Sequence, residues 1–201
     1  MTFPVRCRCG TLEGTLANPQ RAARAACYCR DCQAYARFLG KPELTLDAKG
    51  GTDIVATRPD FLTFTRGADQ LRCVSLSDKG LLRWYADCCN TPIGNTPRDA
   101  KFPYVGLVHD CLAGSDSERD AAFGPARTAL NTGSASGEVK APRLPLVLGI
   151  LRIMRNVFSA KLSGAYRRNP FFDVQAGTPV ATPRILTEDE RKTFGANVAK
   201  S

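Results

Sequence analysis

The chain has 201 residues, of which 43% are hydrophobic, and a formal net charge of +9. This length is sufficient for one domain with its own hydrophobic core, so the fold does not need disulfides for stability. The positive charge predicts attraction to an anion, which leaves nucleic acid, an anionic membrane and a small acidic substrate as alternatives.

Cysteine usage argues against a secreted disulfide framework. The chain has nine cysteines, an odd number, and residues 1–10 contain no apolar run of the kind that secretory signals have. We therefore expect a cytoplasmic protein with reduced thiols, in which clustered cysteines serve metal or redox chemistry.

The first cysteine motif is Cys7-Arg8-Cys9-Gly10, which precedes an alternation of apolar and polar residues over 11–16. The alternation predicts a half-buried β-strand. A Cys-x-Cys-Gly turn supplies two of the four ligands of a zinc site. The start of the chain therefore predicts half of a metal site beside a strand.

The second motif places three thiols in six residues, at Cys27, Cys29 and Cys32. This spacing fits a tight loop whose sulfur atoms converge on one cation, and zinc is the commonest cation that thiolates bind. Three protein ligands would leave a fourth position for a substrate atom or water, as in catalytic zinc sites. Two alternatives stay open: a fourth protein ligand closes a structural site, or the three residues are ordinary buried thiols.

Short strands are predicted after this loop. A short helix or turn over 33–39 ends near Gly40-Lys41-Pro42. Runs of β-branched and aromatic residues then alternate with turns that contain glycine and proline, which is typical of antiparallel sheets. The predicted strands are 43–46, 53–57, 61–65, 71–75, 81–85 and 104–108. The predicted fold class is therefore mainly β and mostly antiparallel.

A second pair of cysteines, Cys88 and Cys89, enters a turn rich in asparagine and proline. Together with Cys7 and Cys9, this pair would form a closed four-sulfur site that joins the first strand to the later sheet and contributes folding energy. Adjacent cysteines bind one ion less readily than a Cys-x-x-Cys pair does. One of Cys88 and Cys89 could therefore be a buried thiol instead of a ligand.

The pattern becomes helical after residue 108. Capping-box spacing predicts helix starts at Ser115 and Thr187. Residues 144–165 have a helical period, with an apolar face that includes Leu151, Ile153 and Phe158 and a polar face that includes Asn156. The apolar run is too short and too charged to span a bilayer, which takes about 20 apolar residues.

Charge sets this predicted helix apart from the rest of the chain. Residues 139–172 contain seven basic residues and no acidic ones. A basic amphipathic helix can lie on a membrane surface or bind a protein partner, and it can also pack its apolar face on the domain's own sheet. Aromatic residues for base stacking are few among its arginines, so nucleic acid is not expected as a partner.

The Cys7 turn, the Cys27 loop and the Arg83-Trp-Tyr-Ala-Asp-Cys-Cys-Asn-Thr-Pro92 turn together resemble the glutathione-dependent formaldehyde-activating enzyme (Gfa) and centromere protein V-like family over residues 5–110. The resemblance implies an antiparallel, zinc-bearing β-tent domain at 1–130. A basic helical extension follows it at 131–201.

The same resemblance implies one or two zinc ions. Structural zinc would be held by the first turn and by the later turn, where Cys88 substitutes for a family cysteine that aligns with Ala86. A second, catalytic-type zinc would keep its fourth position available. The implied ligands are Cys7, Cys9, Cys88 and Cys89 for the first ion, and Cys27, Cys29 and Cys32 for the second.

The resemblance further implies an enzyme of the carbon–sulfur lyase type, acting on an adduct of an aldehyde with glutathione or another small thiol. No catalytic residue beyond the metal ligands is predicted, and Arg30 and Arg37 are candidate cations beside an anionic three-thiolate site. Two other hypotheses are a non-catalytic zinc-stabilised module that contacts a protein or membrane through 144–165, and a redox-sensing cysteine cluster.

Overall fold

The structure is a computed structural model that describes residues 1–126 and 128–196. Over those residues the protein is mainly β, with three sheets and five α-helices. None of the described helices has the length and apolar character needed to cross a membrane. The helices are α1 (Arg30–Phe38), α2 (Pro42–Thr45), α3 (Asp116–Phe123), α4 (Arg143–Leu162) and α5 (Glu188–Phe194).

The smaller of the two main sheets is antiparallel and contains β1 (Thr2–Arg6), β2 (Glu13–Ala17) and β5 (Leu62–Arg66), with β2 in the centre. The larger sheet has eight strands: β3 (Ala23–Cys27), β4 (Thr52–Thr57), β6 (Leu71–Ser75), β7 (Leu82–Ala86), β8 (Thr91–Thr96), β9 (Val105–Val108), β10 (Thr128–Leu130) and β13 (Arg184–Ile185). Their order is β10-β3-β4-β9-β8-β7-β6-β13, and only the edge strands β10 and β13 pair in parallel. A separate ribbon pairs β11 (Phe172–Asp173) with β12 (Thr178–Pro179).

Both main sheets contribute side chains to the largest hydrophobic core. Phe3 and Leu16 come from the smaller sheet, and Trp84 and Leu107 come from the larger one. Successive side chains of a strand point to opposite faces, so Trp84 in this core places Arg83 on the other face of β7. That face is covered by α1, whose Tyr35 hydroxyl donates a hydrogen bond to the Trp84 carbonyl at 2.7 Å.

Residues of the described chain after 131 pack in the same core. Phe171 is fully buried, and its ring centroid lies 5.1 Å from that of Trp84. Further on, β13 adds to the edge of β6, and Leu186 packs beside Tyr35 in a second cluster. The extension that the sequence assigns to 131–201 therefore shares the core of the β domain over its described part.

The prediction of a mostly antiparallel, mainly β fold is confirmed, and five of the six strands predicted after the cysteine loop occur within a residue or two of their expected positions. The strand predicted at 43–46 is wrong, because Pro42 opens the short helix α2 there. The sequence did not predict strands β1, β3 and β8, or the short strands β10 to β13. Alanine-rich β3 has low intrinsic strand propensity and is extended because it pairs with β4.

Two helix starts are confirmed, whereas the short helix predicted over 33–39 begins earlier, at Arg30. Ser115 and Thr187 each cap a helix with a complete capping box, and α4 occupies most of the predicted 144–165 segment. The predicted polar face of α4 is partly wrong, because Asn156 is buried against the β domain. Its side-chain amide donates to the Arg21 carbonyl at 2.9 Å, which satisfies a buried polar group.

Candidate metal centres

Four cysteines from two distant turns meet between the two main sheets. Cys7 and Cys9 lie between β1 and β2, and Cys88 and Cys89 lie between β7 and β8. Their four sulfur atoms lie within 4.8 Å of one another and could hold a metal ion. The Sγ–Sγ distances are 3.5 Å for Cys7–Cys9, 3.7 Å for Cys7–Cys88, 3.3 Å for Cys9–Cys88 and 3.8 Å for Cys88–Cys89.

These distances suit zinc. A tetrahedral ion with zinc–sulfur bonds of about 2.3 Å separates its sulfur ligands by about 3.8 Å. Backbone conformation supports the arrangement, because Gly10 and Asn90 adopt left-handed conformations that turn the chain back beside each cysteine pair. The donor set therefore fits the closed structural site predicted from sequence, and both Cys88 and Cys89 belong to the group.

Hydrogen bonds lower the pKa of two thiols in this four-cysteine cluster, Cys9 and Cys89, whereas burial raises the pKa of Cys7 and Cys88. The Leu12 backbone N–H donates to Cys7 Sγ at 3.2 Å. Hydrogen bonds from the Thr11 hydroxyl, followed by its backbone, lower the pKa of Cys9 to about 6. Thiolates are the form that binds metal ions, so Cys9 and Cys89 are the two donors that these contacts prepare for a cation.

The second cluster lies where β3 meets α1. Cys27 ends β3, Cys29 is the N-cap of α1, and Cys32 lies in the first turn of that helix. Their sulfur atoms lie within 4.8 Å of one another, and the described residues provide no fourth histidine, cysteine or carboxylate to the group. A helix N-terminus favours negative charge, which suits one thiolate in this cluster.

Charge within the three-cysteine cluster is concentrated on Cys27. Hydrogen bonds from the Cys29 thiol and then the Cys32 thiol lower the pKa of Cys27 to about 2. The same contacts raise the pKa of Cys32 well above its ordinary value, because its proton is shared with neighbouring sulfurs. The Asn131 side-chain amide also donates to Cys27 Sγ at 3.4 Å. The cluster is a set of soft, partly anionic donors that fits a thiophilic ion such as zinc.

A buried arginine lies directly beside these thiols. Arg83 is 3% exposed, and its Nη1 lies 3.8 Å from Cys32 Sγ. The same nitrogen donates to Asn95 Oδ1 at 3.1 Å, and Nη2 lies 3.9 Å from a carboxylate oxygen of Asp31. Burial alone would lower the pKa of Arg83, but Cys32, Cys29 and Asp31 together outweigh it and the pKa is raised. Arg83 is therefore a fixed positive charge at the cluster.

A cavity of about 300 Å³ opens on the three-cysteine cluster. All three cysteines, Arg83 and Asn95 line it. Most of the other lining residues are apolar and come from β3, β4, β10 and α4: Ala23, Ala25, Ile54, Ala56, Leu130, Leu146, Ile150 and Ile153. The thiols therefore face a small, mainly apolar space in place of a fourth protein ligand.

Tyr104 adds a proton donor to the cavity wall. Burial, followed by the negative charge of Cys27 and Cys32, raises the pKa of Tyr104 to about 12. The ordinary tyrosine pKa is about 10, so the phenol stays protonated throughout the neutral range and can donate a hydrogen bond.

A protein-family model matches most of this sequence. The model of the family described as "Family of unknown function (DUF6151)" matches residues 1–183. The chain belongs to this family. The match spans both cysteine clusters, Arg83 and α4.

Comparison with individual proteins adds two findings. No curated protein matches this member of the DUF6151 family. The crystal structure of a Rhodobacter sphaeroides protein is similar to it, with 20% sequence identity and a TM-score of 0.38 over 57% of this chain and 92% of that chain.

The structure brings together all seven cysteines that the sequence predicted as ligands, in the two predicted groups. Neither of the two predicted cations, Arg30 and Arg37, lines the cavity beside the three-cysteine cluster. Arg30 is exposed and is absent from the described cavity wall, and Arg37 donates from Nη1 to the Phe194 carbonyl at 2.9 Å. Cys73 and Cys111 are buried apart from both clusters, as predicted for solitary thiols.

Sequence reasoning missed Arg83, Asn95, Tyr104 and Asn131. One usable signal was present for Arg83, because it lies between Leu82 and Trp84 in a strand that is otherwise apolar and aromatic. A charged residue inside such a strand is costly to bury unless a partner charge faces it. The neighbouring anionic cysteines are that partner.

Proposed function

We propose that the protein binds zinc at both cysteine clusters and catalyses reversible carbon–sulfur bond chemistry at the three-cysteine site. The substrate would be the adduct of a small aldehyde with glutathione or another small thiol. One observation carries this proposal: three clustered thiols without a fourth protein ligand in the described chain face a cavity of about 300 Å³. The four-cysteine cluster would hold a structural ion.

The reaction needs no oxidant or reductant. In the lyase direction, the carbon–sulfur bond of the adduct breaks, the hydroxyl oxygen becomes the carbonyl oxygen, and its proton goes to the thiol sulfur. The reverse direction forms that bond and returns the proton to oxygen. Zinc held by Cys27, Cys29 and Cys32 would supply a Lewis acid that favours the thiolate form of the substrate and polarises the carbonyl oxygen.

Residues that line the cavity would offset the charge of the metal site, donate a hydrogen bond to the substrate and exclude water. Three thiolates and one zinc ion carry a net negative charge, which the Arg83 guanidinium offsets from 3.8 Å away. The Tyr104 hydroxyl would donate a hydrogen bond to the substrate oxygen, where negative charge develops as the carbon–sulfur bond forms. The apolar wall would exclude water around the reacting atoms.

The cavity also restricts which part of a substrate can enter it. Arg24 is already paired with Asp53 at 2.8 Å, and the charge of Arg83 faces the anionic cysteines. The carboxylates of glutathione would therefore stay outside, and only the thiol end with its adduct would occupy the cavity. Small apolar substituents on the aldehyde should be favoured, because the walls are mainly alanine, leucine and isoleucine.

Cobalt substitution tests thiol binding directly. Replacing zinc by Co²⁺ makes the ligand set visible by absorption, and glutathione or a small apolar thiol is then titrated into the full-length protein. We expect a spectral change that Cys29→Ala abolishes. Gly149 faces Ala23 across the cavity wall, and a Cβ added at Gly149 would lie 3.9 Å from the Ala23 Cβ. Gly149→Leu should therefore block the thiol but retain the metal, and Gly149→Ala is the matched control.

Turnover is measured separately, by NMR exchange between free formaldehyde and its thiol adduct. The proposal predicts faster exchange with wild-type protein than with Cys29→Ala. A cobalt spectrum that ignores every thiol, together with wild-type exchange no faster than the uncatalysed rate, would overturn the proposed function and leave a structural metal alone.

A further inference from the structure

The outer face of α4 is an apolar stripe that the rest of the described chain leaves uncovered. Seven large apolar residues on it are between 50% and 74% exposed. Their spacing follows the i, i+3, i+4 and i+7 pattern of one helix face, over the whole length of the helix. We call them the outer stripe: Leu144, Val147, Leu148, Leu151, Met154, Phe158 and Leu162.

The outer stripe is not needed to attach α4 to the protein. The opposite face does this, through buried Val157 and Ala160 and through hydrogen bonds of Asn156 with Arg21. On the flank, Arg152 donates to the Ala22 carbonyl at 2.9 Å. Exposed apolar surface of this extent on one element marks an interaction site in most proteins.

Charge around the stripe favours an anionic partner. Residues 139–172 contain seven basic residues and no acidic ones. Arg143 and Arg155 lie on α4 itself, are exposed, and make no ion pair within the described chain. A second copy of the protein packed stripe to stripe would bring these like charges together, which is unfavourable. An anionic lipid surface offers both an apolar layer and compensating charge.

We infer that the outer stripe of α4 docks the protein on the surface of anionic membranes, with the helix parallel to the bilayer plane. A helix of 20 residues is about 30 Å long, so the stripe presents apolar side chains along that length, while the long side chains of Arg143 at its edge and Arg155 within it extend to lipid headgroups. The opposite face of the same helix lines the cavity through Leu146 and Ile153. Docking therefore places the cavity behind α4, about 10 Å from the membrane surface.

Vesicle sedimentation tests this inference with the full-length protein. We expect the wild type to sediment with vesicles of phosphatidylcholine mixed with phosphatidylserine, and much less with phosphatidylcholine alone. Leu151→Glu should abolish sedimentation, whereas Val180→Glu, at an apolar position of comparable exposure outside α4, should leave it unchanged.

Two double variants distinguish electrostatic attraction to anionic lipids from non-specific adsorption. Each basic residue near an anionic surface contributes about 1 kcal/mol, so Arg143→Gln with Arg155→Gln should weaken binding by roughly 30-fold. Lys41→Gln with Arg66→Gln removes the same charge from other exposed positions and should have little effect.

Two outcomes would overturn the inference. One is equal sedimentation of wild type and Leu151→Glu. The other is a wild-type dimer in sedimentation velocity that Leu151→Glu dissociates, without vesicle binding, since a second copy then covers the stripe. Cys29→Ala should still bind vesicles, so this result is independent of the zinc proposal.

Discussion

Replacing Arg83 by methionine tests whether its charge stabilises metal at the three-cysteine site. The guanidinium lies 3.8 Å from Cys32 Sγ and is 3% exposed. Two unit charges at that distance interact by about 4 kcal/mol at an effective dielectric constant of 20. A zinc ion with three thiolates has a net charge of −1, so Arg83 stabilises the metal-bound state more than a metal-free state with protonated thiols.

Only part of this energy should appear in the affinity, because the metal-free cluster also carries negative charge on Cys27. Outer partners of metal ligands are typically worth 10–100-fold in affinity. We therefore expect Arg83→Met to weaken zinc binding at this site by about 10–100-fold, which is roughly 1.4–2.7 kcal/mol. Arg83→Lys keeps the charge and should restore most of the affinity.

Competition with a chromogenic chelator measures this effect. One of two zinc ions should leave Arg83→Met at a lower chelator concentration than it leaves wild type, while the other is unaffected. Arg184→Met on β13 is the matched control, because Arg184 is half exposed and pairs with Glu190 of α5, which contains no cysteine. If folded Arg83→Met, checked by circular dichroism, released zinc like the wild type, the electrostatic reasoning would be refuted.

Three further predictions concern Asn131, Tyr104 and Phe171. Asn131→Ala removes the 3.4 Å hydrogen bond to Cys27 Sγ and should weaken zinc binding at the three-cysteine site by about tenfold in the same chelator assay, leaving the four-cysteine site unchanged. Tyr104→Phe should retain both ions but slow adduct exchange by about 100-fold, measured by NMR. Because the pKa of Tyr104 is raised to about 12, wild-type exchange should not lose this contribution near pH 10, and a loss there would contradict the assigned donor. Phe171→Ala should lower the free energy of unfolding by about 3–5 kcal/mol in urea titrations, whereas half-exposed Phe102→Ala should cost far less; equal effects would argue against a core shared with the C-terminal segment.

The three-cysteine cluster could be predicted because its ligands are close together in the sequence. Cys27, Cys29 and Cys32 converge through the end of one strand and the first turn of the next helix, which short spacing alone implies. The pairing of the Cys7 turn with the Cys88 turn is long-range, but two incomplete ligand pairs in one chain suggest each other. Burial and charge were not needed for either prediction.

The surroundings of the three-cysteine site could not be predicted in the same way. Arg83 reaches Cys32 only because β7 pleats with Trp84 in the core and α1 packs on the opposite face. Arg30 was the obvious cation from sequence proximity, yet its position at the helix start leaves it exposed. Proximity along the chain and proximity in space differ most where strands of distant segments meet.

The sequence also did not show which apolar residues of α4 face the β domain and which face solvent. Apolar residues occur on both faces of the helix, so a single helical period assigned Ile153 and Phe158 to one surface. In the structure Ile153 lines the cavity and Phe158 is exposed. Which apolar face packs inward depends on the shape of the β domain beneath it, and helical periodicity contains no information on that shape.

Zinc content of the purified full-length protein, measured by elemental analysis beside Cys29→Ala and Cys89→Ala, tests the central claim most directly. The account predicts two ions per wild-type chain and one in each variant, with Cys29→Ala still folded. A wild-type chain that purifies with no metal, or a Cys29→Ala variant that keeps both ions, would contradict the assignment of the three-cysteine cluster as a metal site.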